Sequence, residues 1–213
     1  MGTYGRIKKR VKIFTQSLLR KNKTIRISCA YLFRIKFENK YLLIKGNQID
    51  QYQPVGGVNK YYESFQPLKN TMEITDEKEV NFYEDRDLRI YTKGKYIPGY
   101  LNWFASKKNH EVTVHREFLE ELGSFNEFNG ELLSKTRIEF IKQIEEPITY
   151  SKHFKCDEIK IFEIFELGIP MKQLEEISNR KNIVLVGEEE IERECTNLDG
   201  KSRKIAVTAK YVL

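Results

Sequence analysis

The sequence predicts a mixed α/β fold, and three observations carry that prediction. Residues 24–35 and 158–166 alternate with strand periodicity, residues 111–122 repeat with helix periodicity, and 213 residues suit one large domain with its own core. Hydrophobic residues make up 40% of the chain and charged residues 32%. That composition belongs to a folded globular protein rather than to an aromatic-poor disordered one.

The first element is the segment 7–19, IKKRVKIFTQSLL. It spaces Ile7, Val11, Phe14, Leu18 and Leu19 near a helical turn with cations between them, the pattern of a basic amphipathic helix. Residues 1–23 contain Arg6, Lys8, Lys9, Arg10, Lys12, Arg20, Lys21 and Lys23 and no acid. This segment accounts for the net charge of +6 and the pI near 9.0, so attraction to anionic partners is local rather than spread over the surface. Two roles suit such a helix: packing on its own domain, or a peripheral contact of residues 6–23 with an acidic lipid or partner surface. Arg6 stands where a myristoylation signal wants Ser or Thr, which argues against lipidation.

Residues 24–213 form the expected main domain. In TIRISCAYLFRIK, Ile25, Ile27, Cys29, Tyr31, Phe33 and Ile35 alternate with Arg26, Ser28 and Arg34, predicting a long strand. A turn at Asn39 and Lys40 leads to a second strand, Tyr41 to Ile44, and a polar loop, 45–51. Gly56 and Gly57 then permit a backbone conformation or a close approach that a Cβ would forbid.

Residues 64–110 read as an insertion, a subdomain or long flap. It carries clustered charge (DEKE at 76–79, EDRD at 84–87) and then an aromatic stretch with Tyr96, Tyr100, Trp103 and Phe104. Those rings suit either a subdomain core or a platform on which a nucleobase stacks. In 111–122, Val114, Phe118 and Leu122 recur at i+4 beside Leu119, and Gly123 stops the helix. Strands follow at 137–145 and 158–166. The second has an inward face of Ile159, Ile161, Ile164 and Phe165 whose register slips near Glu163. A helix at 170–179, a strand at 183–186, a helix at 188–194 and a last helix near 204–213 complete the order.

Cys29, Cys156 and Cys195 are widely spaced, with no CxxC pair and no His at metal spacing, so neither a disulfide framework nor a zinc site is indicated. No apolar run reaches the length of a membrane span, and no signal core follows the basic start. A cytoplasmic protein is expected. No Walker loop, Gly-x-Ser-x-Gly elbow or Cys–His pairing supports another catalytic scheme.

The chemistry concentrates in REFLEELG. A helix there places Glu117, Glu120 and Glu121 at i, i+3 and i+4, three carboxylates on one face opposite Phe118, Leu119 and Leu122. Their mutual repulsion is relieved by a hard divalent cation, and Mg²⁺ suits because it takes a few carboxylates while keeping room for waters and phosphate oxygens. Arg116, four residues before Glu120, can hold the acidic face in position. On charge alone a solvated helix face is the better account of the pattern, because adjacent glutamates are common on surfaces.

The order of residues goes further. Arg116-Glu117-Phe118-Leu119-Glu120-Glu121-Leu122-Gly123 resembles the second half of the Nudix box, Arg-Glu-apolar-x-Glu-Glu-x-Gly, in every specified place. Gly57 and Glu63 satisfy its first half, Gly, five residues, Glu, with Gly56 beside it. Between Glu63 and Arg116 lie 52 residues where the family has seven, which makes the box split. Ser124 stands where the family prefers an apolar residue. The split box, the YQPVGGVNKYY segment and DLRI at 87–90 are similar to the SMODS-associated Nudix domains found with cGAS-like nucleotidyltransferases in bacterial antiphage systems, and the likeness runs from about Thr24 onward.

That resemblance implies a Nudix-type α/β/α sandwich around a mixed central sheet. It implies Glu117, Glu120 and Glu121 as ligands for Mg²⁺ or Mn²⁺, Arg116 as a positioning residue, and Gly56, Gly57 and Glu63 as substrate-binding. The implied reaction is hydrolysis of a diphosphate linkage in a nucleoside diphosphate derivative, in antiphage defence. The alternative is a Nudix-shaped sensor that binds a nucleotide second messenger without turning it over, since splitting the box changes how the Glu63 loop is tethered. RNA binding rests only on the basic N terminus. Glu145, Glu146 and Glu163 are candidates for an additional downstream carboxylate, with solvated strand faces as the ordinary account. His110, His115 and His153 are scattered and read as packing or surface residues.

Overall fold

A computed structural model describes residues 3–46, 49–77, 86–108, 110 and 136–213. The main sheet among the described residues runs β6-β7-β1-β10-β8, with β5 on β1 and β9 on β10. Its strands are β1 (Thr24–Arg34), β5 (Gly56–Val58), β6 (Thr75–Asp76), β7 (Arg89–Lys93), β8 (Arg137–Glu145), β9 (Thr149–Ser151) and β10 (Cys156–Gly168). The mixed α/β class expected from the sequence holds. The chain divides into two compact units: Met1–Ala30 with Val58–Val114 and Gln143–Phe162, and Tyr31–Gly57 with His115–Lys142 and Glu163–Leu213.

In the first unit, β1 and β7 pair antiparallel with Ile27 opposite Ile90, and β7 carries β6 on its other edge. Helix α2 (Gln66–Thr71) precedes β6, and helix α3 (Ile97–Ala105) begins where Pro98 fixes a helical φ at no hydrogen-bond cost. It buries Ile97, Tyr100, Leu101 and Phe104, spaced i, i+3, i+4 and i+7, so one stripe enters the core. There they meet Ile25, Ile27, Phe65, Leu88, Ile159 and Ile161. The segment 64–110 therefore supplies a core helix and sheet strands to the unit that β1 begins.

Helix α1 (Thr3–Leu19) packs on its own unit by one narrow side. Ile7, Val11, Phe14, Leu18 and Leu19 face solvent, and the helix enters the core through Ile13 and Ser17. Gln16 fixes it by donating to the Ile148 carbonyl (3.1 Å) and accepting from the Ile148 amide (3.0 Å). Arg10 pairs with Glu145 at 2.7 Å and Arg20 with Asp157 at 3.1 Å. The polar contacts, which hydrophobic periodicity does not report, orient the helix.

In the second unit, β3 (Lys40–Lys45) pairs antiparallel with β11 (Ile183–Val186), placing Leu42 against Leu185 and Leu43 against Val184. β2 (Lys36–Phe37) and β4 (Tyr52–Gln53) pair β3 as well. Helix α4 (Met171–Ser178) buries Leu174 and Ile177. Helix α5 (Glu188–Glu192) has three carboxylates in its first turn, where its N-terminal amides favour negative charge. Glu190 accepts from the Gly187 amide at 2.8 Å and from the Thr196 hydroxyl at 2.5 Å, tying the helix start to the next strand.

One expectation is corrected here, and one element that the sequence reading did not name is added. The chain after α5 forms a hairpin, β12 (Cys195–Leu198) and β13 (Lys201–Lys204), and the last helix near 204–213 is a 3-10 helix, Val207–Val212. Asp199 (φ 50°) and Gly200 (φ 72°) make the turn. An Asp-Gly pair adopts two left-handed residues readily, as a tight hairpin requires. The register slip near Glu163 has a structural cause: residues 161–165 of β10 are all buried, so the strand has no solvent face to preserve the alternation.

Candidate functional site

The first half of the motif begins on β5. A Cβ on Gly56 would stand 2.2 Å from the Tyr31 carbonyl oxygen and 2.9 Å from Leu32 Cδ2, so the backbone of β5 comes closer to β1 than any side chain permits. Beyond β5, the Asn59 amide donates to the Cys29 carbonyl (3.0 Å), the Leu88 amide donates to the Asn59 carbonyl (2.8 Å), and the Tyr61 amide donates to the Arg86 carbonyl (3.0 Å). These bonds deliver the chain to Glu63, which opens the 3-10 turn Glu63–Phe65. The Glu63 side chain is 83% exposed and pairs with Arg86 at 2.7 Å. Gly57 lies half-buried in β5.

Elsewhere in the first unit the charged groups are satisfied by one another. Lys69 is buried and donates to Asp76 (2.5 Å) and to the Tyr61 hydroxyl (2.9 Å). Burial pulls the ammonium pKa down, but these two partners outweigh it and leave it above its ordinary value. Glu73 accepts from Lys93, Tyr96 and Lys95, which hold its carboxyl down to about 2. Arg26, buried on β1, pairs with Glu77 at 2.7 Å and with Glu158, and its guanidinium stacks on Phe154 at 3.7 Å. Every charge in these clusters has a counter-charge, the mark of structural ion pairs rather than of a poised acid or base. Nothing in the sequence pattern announced them.

The aromatic stretch forms core rather than a base platform at Tyr100 and Phe104, both fully buried. The Tyr100 hydroxyl and Cys29 Sγ lie 3.2 Å apart, and burial pushes the Cys29 thiol up to about 12. Trp103 stacks on Phe65 at 4.1 Å between ring centroids. His110 stacks on Phe104 at 4.5 Å, and desolvation lowers its pKa to about 4, so it is a neutral packing residue at neutral pH.

Arg116, Glu117, Glu120 and Glu121 fall in 111–135, outside the described residues, as do His115 and Gly123. Among the described residues no group of three or more His, Cys, Asp or Glu could hold a metal ion. The downstream carboxylates separate clearly. Glu145 is held by Arg10, the Glu146 amide donates to the Lys160 carbonyl at 2.9 Å, and Glu163 is fully buried on β10. Of the three, Glu163 is the most deeply buried.

No helix among the described residues is long and apolar enough to cross a membrane. No curated protein matches the chain. A family model, that of the SMODS-associated NUDIX domain, matches residues 24–213. The match takes in both halves of the split motif, the β1–β5 approach at Gly56 and all of the chain beyond α1 and the turn that follows it, and on that extent the chain belongs to the SMODS-associated NUDIX family.

Proposed function

We propose that the chain hydrolyses a diphosphate linkage in a nucleoside diphosphate derivative, in partnership with a SMODS-type, cGAS-like nucleotidyltransferase system. One observation carries the reading: Arg116-Glu117-Phe118-Leu119-Glu120-Glu121-Leu122-Gly123 keeps every specified residue of the Nudix box within a chain of that family.

The donor set fits a divalent cation. Glu117, Glu120 and Glu121 offer hard carboxylate oxygens at i, i+3 and i+4 in the expected helix, suited to Mg²⁺ or Mn²⁺. A cation held by these three residues supplies neutralisation of the diphosphate charge. Arg116 orients the carboxylates. Water attacks phosphorus, the P–O anhydride bond breaks, and one of the helix carboxylates accepts the proton, leaving two phosphate-bearing products. Gly56 and Gly57 keep the β5 backbone free of side chains beside the substrate, and Glu63 closes the first half of the motif. Glu145, Glu146 and Glu163 are the candidates for an additional downstream carboxylate.

The second reading, a sensor that binds a nucleotide second messenger without turnover, draws on the 52 residues between Glu63 and Arg116. One experiment separates the two. The purified chain is incubated with Mg²⁺ or Mn²⁺ and a panel of nucleoside diphosphate derivatives, dinucleotides and cyclic oligonucleotides, and products are read by ³¹P NMR. Hydrolysis of a diphosphate linkage supports the enzyme. No turnover of any compound, with cyclic oligonucleotide binding unchanged by Glu120→Gln, establishes the sensor instead.

A further inference from the structure

Helix α1 has two faces, and the one built of large apolar side chains points outward. Ile7, Val11, Phe14 and Leu18 are between 49% and 58% exposed and Leu19 is 82% exposed, while Ile13 and Ser17 are buried. At about 100° per residue, the exposed stripe lies roughly 140° around the helix from Ile13, Gln16 and Ser17. The stripe therefore cannot be the side that packs on its own unit. Five of the eleven large apolar side chains exposed among the described residues lie in this one helix, and four of them, Ile7, Val11, Phe14 and Leu18, line up along one stripe rather than scattering singly as is usual on a soluble surface.

The charges around the stripe select its occupant. Lys8 and Lys12 are exposed on one flank of the helix, about 90° and 130° round from the stripe, and Lys21 and Lys23 are exposed just past the helix end. The first acidic residue of the chain is Glu38. Arg10 and Arg20 are drawn back onto Glu145 and Asp157, so among the described side chains the cations that face out are lysines with long apolar stems, which can cover a hydrophobic boundary and keep their ammonium groups wet. A second copy of the chain would set like charges against like, whereas a layer of anionic headgroups over acyl chains complements both the lysines and the stripe. The helix is about 25 Å long, and no helix among the described residues is apolar enough to cross a bilayer, so the contact lies in the plane of the surface.

We infer that the outward face of α1 docks the protein on an anionic lipid surface, with Ile7, Val11, Phe14 and Leu18 entering the headgroup boundary and Lys8, Lys12, Lys21 and Lys23 pairing with lipid phosphates. The inference is independent of the hydrolase reading, because it uses no residue of the split motif.

The test is co-sedimentation of the full chain with vesicles of phosphatidylcholine alone or mixed with phosphatidylglycerol. Binding is expected only to the mixed vesicles, falling as salt rises. Val11→Asp with Leu18→Asp, both at exposed positions, is expected to keep the thermal midpoint and lower the partition coefficient by about tenfold or more. Lys8→Glu with Lys12→Glu is expected to lower it several-fold. Three outcomes overturn the inference: no sedimentation with mixed vesicles at low salt, equal binding by wild type and the Val11→Asp/Leu18→Asp variant, or equal binding to both vesicle types. A concentration-dependent dimer that the same variant dissociates, with no vesicle binding by either form, overturns it in favour of a second copy.

Discussion

Gly56 and Tyr31 approach so closely that a Cβ at residue 56 would stand 2.2 Å from the Tyr31 carbonyl oxygen. Backbone, not a flexible side chain, is the obstacle, so Gly56→Ala must displace β5 from β1. The expected cost is about 1–3 kcal/mol, the range of overpacked cores, read as a lowered midpoint in chemical denaturation. Gly99→Ala is the control: its nearest neighbour is the mobile end of Met72 at 3.1 Å, and alanine is the better helix former there. Equal effects at the two glycines would contradict the account of the β5 approach.

Arg26 holds Glu77 and Glu158 in the first unit with all three side chains nearly buried. Arg26→Met leaves two carboxylates buried without their cation and is expected to cost about 3–5 kcal/mol. Adding Glu77→Gln and Glu158→Gln is expected to restore much of that loss. Urea denaturation of the single and triple variants measures both, and a triple variant no more stable than Arg26→Met would show that charge compensation is not what the cluster provides.

His110 makes stability depend on pH in a defined direction. Its folded value of about 4 lies below the ordinary 6.5 because the ring is desolvated. Between those values the unfolded chain binds the extra proton, so stability is full above about pH 6.5 and falls as the pH drops toward 4. His110→Phe keeps a ring against Phe104 and removes the titration. It is expected to flatten the fall in thermal midpoint between pH 6.5 and 4.5, above the range where Glu73, held down to about 2, begins to titrate. An unchanged slope would place the titrating group elsewhere.

Much of this fold is legible as period. β8 and β11 span the residues that the sequence reads as strands, and β1 begins at Thr24, where its alternation of apolar and polar residues begins. β10 blurs at Glu163 because it is buried on both faces. The hairpin at Asp199 and Gly200 joins two strands of four residues each, too short for a period to stand out, and only the Asp-Gly pair marks it. The orientation of α1 was not available at all, since Gln16, Arg10 and Arg20 find partners more than a hundred residues away. At the candidate site, residue order identified the acidic string and the family. The ion pairs of Lys69 with Asp76 and of Glu63 with Arg86 depend on tertiary neighbours that no local spacing encodes.

The acidic string gives the central claim its most direct test. Glu120→Gln and Glu121→Gln each remove one of three neighbouring charges while keeping shape, so stability should stay level or rise slightly as repulsion falls. Metal affinity and turnover should collapse together, because a neutral amide is a poor ligand for a hard dication. Mn²⁺ titration by calorimetry and nucleotide hydrolysis are measured on the same preparations, with Glu127→Gln, outside the motif, as the variant that should change neither. Loss of both properties in Glu120→Gln and Glu121→Gln, with Glu127→Gln unaffected, is the predicted result. Full metal-dependent turnover in both variants would contradict the account and reduce the acidic string to a solvated surface.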